Sequence, residues 1–371
     1  MILKIRIQSI VFSILILLFS CKKEDNNSDY TGNSNYSYQS YQYISNLLPL
    51  QGSCLDSAGK LLFFQSPFLD SASYSYPIIS SKILRADTSN AYSTVFDFQN
   101  QTFGYGNYSG VIYNGQFGWL PAGLCVSLAM TKKGSLFMAT NYNSSLYKIE
   151  NNNLVNYLNV DGIIAITSCN NNIYAATTPI YNSSGGIFQE PRIYEIDSTG
   201  QQSLFYEFPS SINFNNYSGG TSGGLKMYPF CFSISLKMDR DSSIYVAFGY
   251  DDIIYKIDKN KNLTTYISTI SYPTSIDIDN NNRMYVVSAP GFSIDSLNTI
   301  IMTKPVQIYK VLNGTPSKIY EGNLFSPLYS GGHVTNDQLH RLTNSFYSLS
   351  VSPKNEIFLV SRIEGNITLI K

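Results

Sequence analysis

A repeated, all-β fold is what this 371-residue sequence predicts, and three observations carry that prediction. The apolar 43% is rich in Ile, Val and aromatic side chains, with 30 Tyr and 21 Phe, types that pack well on pleated sheets. An apolar-aromatic-apolar strand recurs as Leu62-Phe63-Phe64, Leu136-Phe137-Met138, Ile173-Tyr174-Ala175, Ile244-Tyr245-Val246, Met284-Tyr285-Val286 and Ile357-Phe358-Leu359. Each copy follows a turn and precedes a second strand, so the repeated unit is a sheet built of consecutive hairpins.

The turns include Asp56 to Gly59, Lys132 to Gly134, Asn170 to Asn172, Asp239 to Ser242 and Asp279 to Asn282. Their Gly, Asn, Asp and Ser tolerate the left-handed and side-chain-capped conformations of tight hairpins. Calcium loops would need a glycine at the sharp bend and a closing Glu at the twelfth position, and these turns have neither.

The second strands begin Ile83-Leu84, Leu146-Tyr147, Ile193-Tyr194, Ile254-Tyr255, Ile308-Tyr309 and Ile367-Thr368, and their period-2 alternation marks one buried and one wetter face. Five are followed by another strand centred on Phe96, Tyr157, Tyr206, Tyr266 or Tyr320. A buried strand precedes each unit, clearest at Ser275 to Asp279 and Ser348 to Ser352. Four antiparallel strands repeated six times predict a six-bladed β-propeller, with blades near 50–98, 123–159, 161–208, 229–269, 272–322 and 345–371. The sixth lacks an outer strand. Residues 38–48, containing Gln42-Tyr43-Ile44-Ser45, match the blade-four outer strand Thr265-Tyr266-Ile267-Ser268 and are expected to complete it, removing an exposed sheet edge.

This pattern resembles the superfamily of NHL-repeat, gluconolactonase-like and streptogramin-lyase-like propellers, whose short blades read Asp-x-x-Gly-x-x-Tyr-Val and then Ile-Tyr-Lys-Ile-Asp. The resemblance covers residues 37–371 and rests on blade-forming positions, so it implies a fold and says little about activity.

Long and short blades alternate. The motif aromatic and the matching position of the next strand are far apart in blades one, three and five and close in the other three. Because the chain reverses at every turn, connections between the second and third strands of a blade, and between its fourth strand and the next blade, share one face. The insertions 67–82, 178–192 and 289–306 and 99–122, 209–228 and 323–343 are therefore expected to gather there as ordered loops. Segments so rich in aromatics are unlike disordered chain. The binding candidates on this face are Tyr105, Tyr108, Phe117, Trp119, Tyr181, Phe188, Tyr217, Phe292, Tyr329 and His333.

The inner strands leave Ser127, Ala129, Ala165, Thr167, Ser233, Ser235, Lys237, Ser275, Asp277, Ser348 and Ser350 facing the channel. A gluconolactonase-like enzyme would set carboxylates and an Asn around a divalent metal there. One carboxylate, Asp277, beside one lysine, Lys237, makes no such cage; an ion pair or bound water is the simpler expectation. The two histidines, His333 and His340, flank Asp337 at no metal-ligand spacing, although His333 is the best candidate for a streptogramin-lyase-like base. No phosphate loop, nucleophile elbow or dinucleotide fingerprint occurs. Gly104-Tyr105-Gly106, Gly219-Gly220 and Gly223-Gly224 read as flexible turns. No catalytic residue, metal or cofactor is assigned.

Residues 1–20 read as a signal peptide, with Lys4 and Arg6 ahead of an apolar run too short for a spanning helix. Leu18-Phe19-Ser20-Cys21 resembles a bacterial lipobox, which implies lipidation of Cys21 and membrane attachment through acyl chains; an ordinary signal peptide with a chance cysteine is the alternative. Lys22-Lys23-Glu24-Asp25 resembles the surface-export signal of Bacteroidota-type lipoproteins, implying an outer-membrane protein exposed to the exterior. Residues 21–37 form a polar tether. Without 1–20 the chain carries 23 basic and 25 acidic side chains, a formal net charge of −2, which excludes a basic nucleic-acid binder. The remaining Cys54, Cys125, Cys169 and Cys231 are too dispersed for a disulfide scaffold or Cys-x-x-Cys site and read as buried thiols. Two functions follow: a non-catalytic protein binding a glycan, peptide or protein through the aromatic face, or a metal-dependent hydrolase or lyase.

Overall fold

The computed structural model describes residues 38–44, 50–65, 68–70, 77–79, 81–88, 91–98, 108–113, 116–121, 126–140, 144–181, 187–212, 219–222, 226–229, 234–248, 252–288, 291–294, 300–322, 347–361 and 365–371. The chain divides into two units, Met1–Thr31 and Gly32–Lys371, and all the described residues belong to the second. They form six four-stranded antiparallel sheets in sequence order around a ring, a six-bladed β-propeller. Blade 1 runs Leu50–Leu55, Leu61–Gln65, Lys82–Thr88 and Ala91–Asp97, and blade 4 runs Ile234–Met238, Ile244–Phe248, Ile253–Ile257 and Leu263–Ile267.

Blade 6 takes its outermost strand from the N-terminal side of the chain. Ser40–Ile44 pairs with Asn366–Ile370, Ser40 opposite Ile370 and Tyr41 opposite Leu369. The backbone bonds Gln39 N–H to Lys371 O and Lys371 N–H to Gln39 O extend the seam. Closure thus removes the edge that Asn366–Ile370 would otherwise expose.

The apolar faces of neighbouring blades pack against each other in six clusters, each drawing on two adjacent blades. At the closing seam Ile44, Leu50, Phe63 and Leu84 meet Phe358, Val360 and Ile367. Motif aromatics anchor these layers. Phe63, Phe137 and Phe358 need no polar partner, whereas the blades with tyrosine supply one: Tyr174 donates to Glu195, Tyr245 to Asp239 and Tyr285 to Asp279. Burial pushes all three phenols well above their ordinary range, so each remains a donor at neutral pH.

The hairpin turns share one geometry. Asp56, Asp197, Asp239, Asp258 and Asp279 each accept, at Oδ1, the N–H groups two and four residues on. In each the intervening residue at position three is left-handed: Gly59, Gly200, Ser242, Lys261 and Asn282. These aspartates cap backbone, which is the chemistry that selects them.

The insertions differ from the expected loops. In blade 1, Phe68–Asp70 and Pro77–Ile79 join Tyr108–Tyr113 and Gln116–Pro121 in a separate four-stranded sheet, with Leu69 opposite Trp119 and Asp70 opposite Gly118. Blade 3 repeats the plan: Ile180–Tyr181 and Ile187–Gln189 join Gly219–Ser222 and Lys226–Pro229, with Tyr181 opposite Met227. Blade 5 carries the hairpin Gly291–Ile294 and Ile300–Lys304. Gly219 and Gly220, expected as a turn, are strand residues opposite Pro229 and Tyr228. In blades 1 and 3 both insertions emerge side by side, so their backbones satisfy one another instead of remaining as loops. At the same end of blades 1, 3 and 5 the third and fourth strands are tied by a polar contact in the same register: Lys82 with Asp97, Arg192 with Glu207 and Gln307 with Glu321.

Candidate functional site

Five motif aromatics define one layer of the channel through their pairing across the first hairpin. Ala129, Thr167, Lys237, Asp277 and Ser350 stand opposite Phe137, Tyr174, Tyr245, Tyr285 and Phe358 respectively; in blade 1 the same level is Cys54 opposite Leu62, and Phe63 packs towards blade 6 instead. Lys237 Nζ lies 3.2 Å from Asp277 Oδ1. Asp277 also accepts Val351 N–H at 2.7 Å through Oδ2 and its neighbour Ile278 N–H at 2.9 Å through Oδ1. This carboxylate therefore links three consecutive blades: its own, the fourth through Lys237, and the sixth through Val351.

The serines serve the same end. Ile166 N–H donates to Ser127 Oγ, Ile276 N–H to Ser235 Oγ and Leu349 N–H to Ser275 Oγ, each at 3.0 Å and each from the next blade. Ser53 Oγ sits 2.7 Å from Ser348 Oγ and 2.9 Å from Ser350 Oγ, joining blade 1 to blade 6. Inner strands of adjacent blades do not form a sheet ladder, so their inward N–H groups need acceptors; a short hydroxyl directed along the wall provides one. Ser53 was missed in the sequence: it stands three residues before Asp56, beside a register shift, and so falls out of step with Ser350, two residues before Ser352. Ser233 lies outside the described residues.

Cys54 is buried and free, and burial pushes its thiol up to about 12. Cys169 is also free but only half-buried, which corrects the expectation for that residue. It sits at the turn end of Ile163–Cys169, at the edge of the cluster between blades 3 and 4. Cys125 and Cys231 lie outside the described residues.

Asp277 is the one carboxylate on the described inner strands, and each of its oxygens accepts a backbone N–H. Among the described residues no group of three or more His, Cys, Asp or Glu side chains is placed to hold a metal ion. The described part of the channel does not fit a divalent cation, which needs six or more oxygen ligands in the case of calcium.

On the opposite face, Tyr108, Phe117, Trp119, Tyr181, Phe188 and Phe292 all fall in strands of the inserted sheets and hairpin. Trp119 is in the strand that joins the two insertions of blade 1, and Tyr181 is in the strand that does so in blade 3. Tyr105, Tyr217, Tyr329 and His333, with His340, Asp337 and Cys21, lie outside the described residues. At the base of blade 3's insertion, Glu190 Oε2 and Thr178 Oγ1 are buried without hydrogen-bond partners among the described residues. Desolvation and then Glu207 raise the Glu190 carboxyl above its ordinary range.

No protein-family model matches the chain, and no curated protein matches it in sequence. Solved structures do resemble it. A protein of unknown function from Bacteroides thetaiotaomicron matches over 90% of this chain and 76% of its own, at 10% identity and a TM-score of 0.52. A gluconolactonase from Xanthomonas campestris matches over 90% of this chain and 89% of its own, at 7% identity and a TM-score of 0.50. A streptogramin B lyase matches over 90% and 97%, at 12% identity, with a TM-score of 0.46. Identities this low speak for the fold alone.

Proposed function

We propose that this protein is a non-catalytic binding protein of the cell envelope, held to the membrane by lipid on Cys21, that takes its ligand on the face carrying the insertions. The observation that supports this most is the pairing of Leu69 with Trp119 and of Tyr181 with Met227. Long loops in a compact domain are commonly functional, and here two connections from each of two blades are tied into sheets, so the aromatic-rich strands Tyr108–Tyr113 and Gln116–Pro121 are held on a scaffold. Aromatic rings suit sugar faces and protein anchors alike, and a near-neutral chain adds no steering towards nucleic acid. The ligand is a glycan, a peptide or a protein segment.

The hydrolase or lyase reading draws on the name of the gluconolactonase neighbour, but the donors on the described inner strands do not fit its metal. One pair of experiments separates the two readings. Replacing 108–121 with a short turn is expected to abolish binding on a glycan array or to a peptide library while leaving the melting temperature nearly unchanged. Undiminished binding would move the site elsewhere. Stabilisation by micromolar calcium, magnesium, manganese or zinc would favour the enzyme.

A further inference from the structure

The channel opens at the hairpin-turn end, opposite the insertions, into a cavity of about 240 Å³. Its polar lining comes from four consecutive blades: Thr167 and Ser168, Lys237, Asp277 with Asp279 and Asn280, and Ser352, with Cys54, Ala129 and Met238 among the other lining residues. An ammonium has three donors, and Lys237 uses one of them on Asp277. The other two have no acceptor among the described residues, although the side chain is only 22% exposed. Thr167 is 6% exposed, and its hydroxyl likewise has no partner among the described residues. On Asp277, Oδ1 already accepts from both Ile278 and Lys237, whereas Oδ2 accepts only from Val351 and keeps one lone pair open. The Cys54 thiol stays protonated at neutral pH and supplies neither a nucleophile nor a metal ligand.

At the level of the Lys237–Asp277 ion pair the mouth therefore offers the Thr167 hydroxyl and the Lys237 N–H groups as donors and Asp277 Oδ2 as an acceptor, with Asp279, Asn280 and Ser352 on the turns at its rim. Lining groups left with unmet hydrogen bonds in a concave site are what fixes a ligand's orientation. From this geometry we propose that the turn-end mouth binds a small hydroxycarboxylate. Its carboxylate spans the Thr167 hydroxyl and the free N–H groups of Lys237, and its hydroxyl donates to Asp277 Oδ2. A dianion is disfavoured by the adjacent Asp277 carboxylate, and a simple carboxylate leaves the Asp277 acceptor unmet. The volume, below the roughly 300 Å³ at which drug-sized pockets begin, limits the ligand to a few carbons. The site is at the other end of the channel from the insertions and stands apart from the function proposed for them.

The test uses the full propeller with labelled methionine methyl groups, since Met130 and Met238 line the cavity. Lactate, propionate and inorganic phosphate are titrated separately. Lactate is expected to shift those two methyl signals and to bind at least about tenfold tighter than propionate, the worth of one added hydrogen bond to a charged group. Thr167→Val, which leaves the ion pair intact, is expected to weaken both by a similar factor, and Lys237→Met to abolish both. If Lys237→Met fails to fold, Thr167→Val alone decides. Methyl signals unmoved by any probe, phosphate or propionate binding as tightly as lactate, or a Thr167→Val protein that binds lactate normally would each overturn the proposal.

Discussion

The hydroxyls of Ser53 and Ser350 lie 2.9 Å apart across the seam between the first and last blades. Ser350 is wholly buried, and Ser53 also bonds Ser348. Just before Ser53, Gly52 adopts φ +49°, and a Cβ there would sit 2.4 Å from Val126 O in blade 2. Blade 1 is thus fastened on one side by hydroxyls and on the other by a backbone approach that only glycine permits.

Two substitutions measure that fastening. Ser53→Ala strands the Ser350 hydroxyl in the interior and is expected to cost about 1–3 kcal/mol. Gly52→Ala adds a left-handed alanine, itself about 1–2 kcal/mol, to a clash with fixed backbone, and is expected to be the more damaging of the two. Urea denaturation of both variants ranks them; a Gly52→Ala protein as stable as its parent would show that the blade 1 and blade 2 inner strands can separate.

The N-terminal strand supplies a second prediction. Ile44 is 1% exposed and packs among Phe63, Leu84 and Ile367, so Ile44→Ala is expected to cost about 2–4 kcal/mol. Tyr41, half exposed on the same strand, provides the control, with Tyr41→Ala changing stability by no more than about 0.5 kcal/mol. Equal losses from the two would mean that the strand contributes through its backbone alone.

Blade number, strand order and the closing strand were legible because they are written locally. Asp56, Asp239 and Asp279 announce turns whose hydrogen bonds stay within five residues, and the alternation around Phe63 or Tyr285 repeats inside each hairpin. The inserted sheets were not legible in this way. Leu69 and Trp119 pair across an entire outer hairpin, and strands as short as Ile180–Tyr181 carry no period. The alternation that placed Ser127, Ser235 and Ser275 in the channel could not show that each accepts an N–H from the next blade. That demand arises only when two inner strands approach without forming a ladder.

The turn carboxylates set an acid limit. Asp197 is held below its ordinary range first by the Thr199 hydroxyl and then by the Gln201 and Thr199 amides, and Asp258 first by the Asn262 side chain. A carboxyl whose folded pKa is depressed stabilises the fold fully above its unfolded pKa, about 3.9 for Asp, and loses that contribution as pH falls through the folded value. Asn keeps an acceptor oxygen but no charge. The double variant Asp197→Asn, Asp258→Asn is expected to melt lower than the parent at pH 6 and to converge with it towards pH 2. Parallel melting curves across that range would assign the turns' stability to conformation and not to charge.

Glu190 reverses the sign. Its Oε2 is buried without a partner among the described residues, and its carboxyl is raised by desolvation and by Glu207, whose charge is already paired with Arg192. A raised carboxyl disfavours the charged form, so the fold loses stability as pH climbs through the ordinary Glu value, about 4.3, to the higher folded one. Glu190→Gln removes that charge at constant shape. It is expected to raise the melting temperature at pH 7, with the gain shrinking to nothing near pH 4. A variant less stable than the parent at pH 7 would mean that Glu190 meets a cation on the insertion face, which would make this carboxylate part of the binding surface.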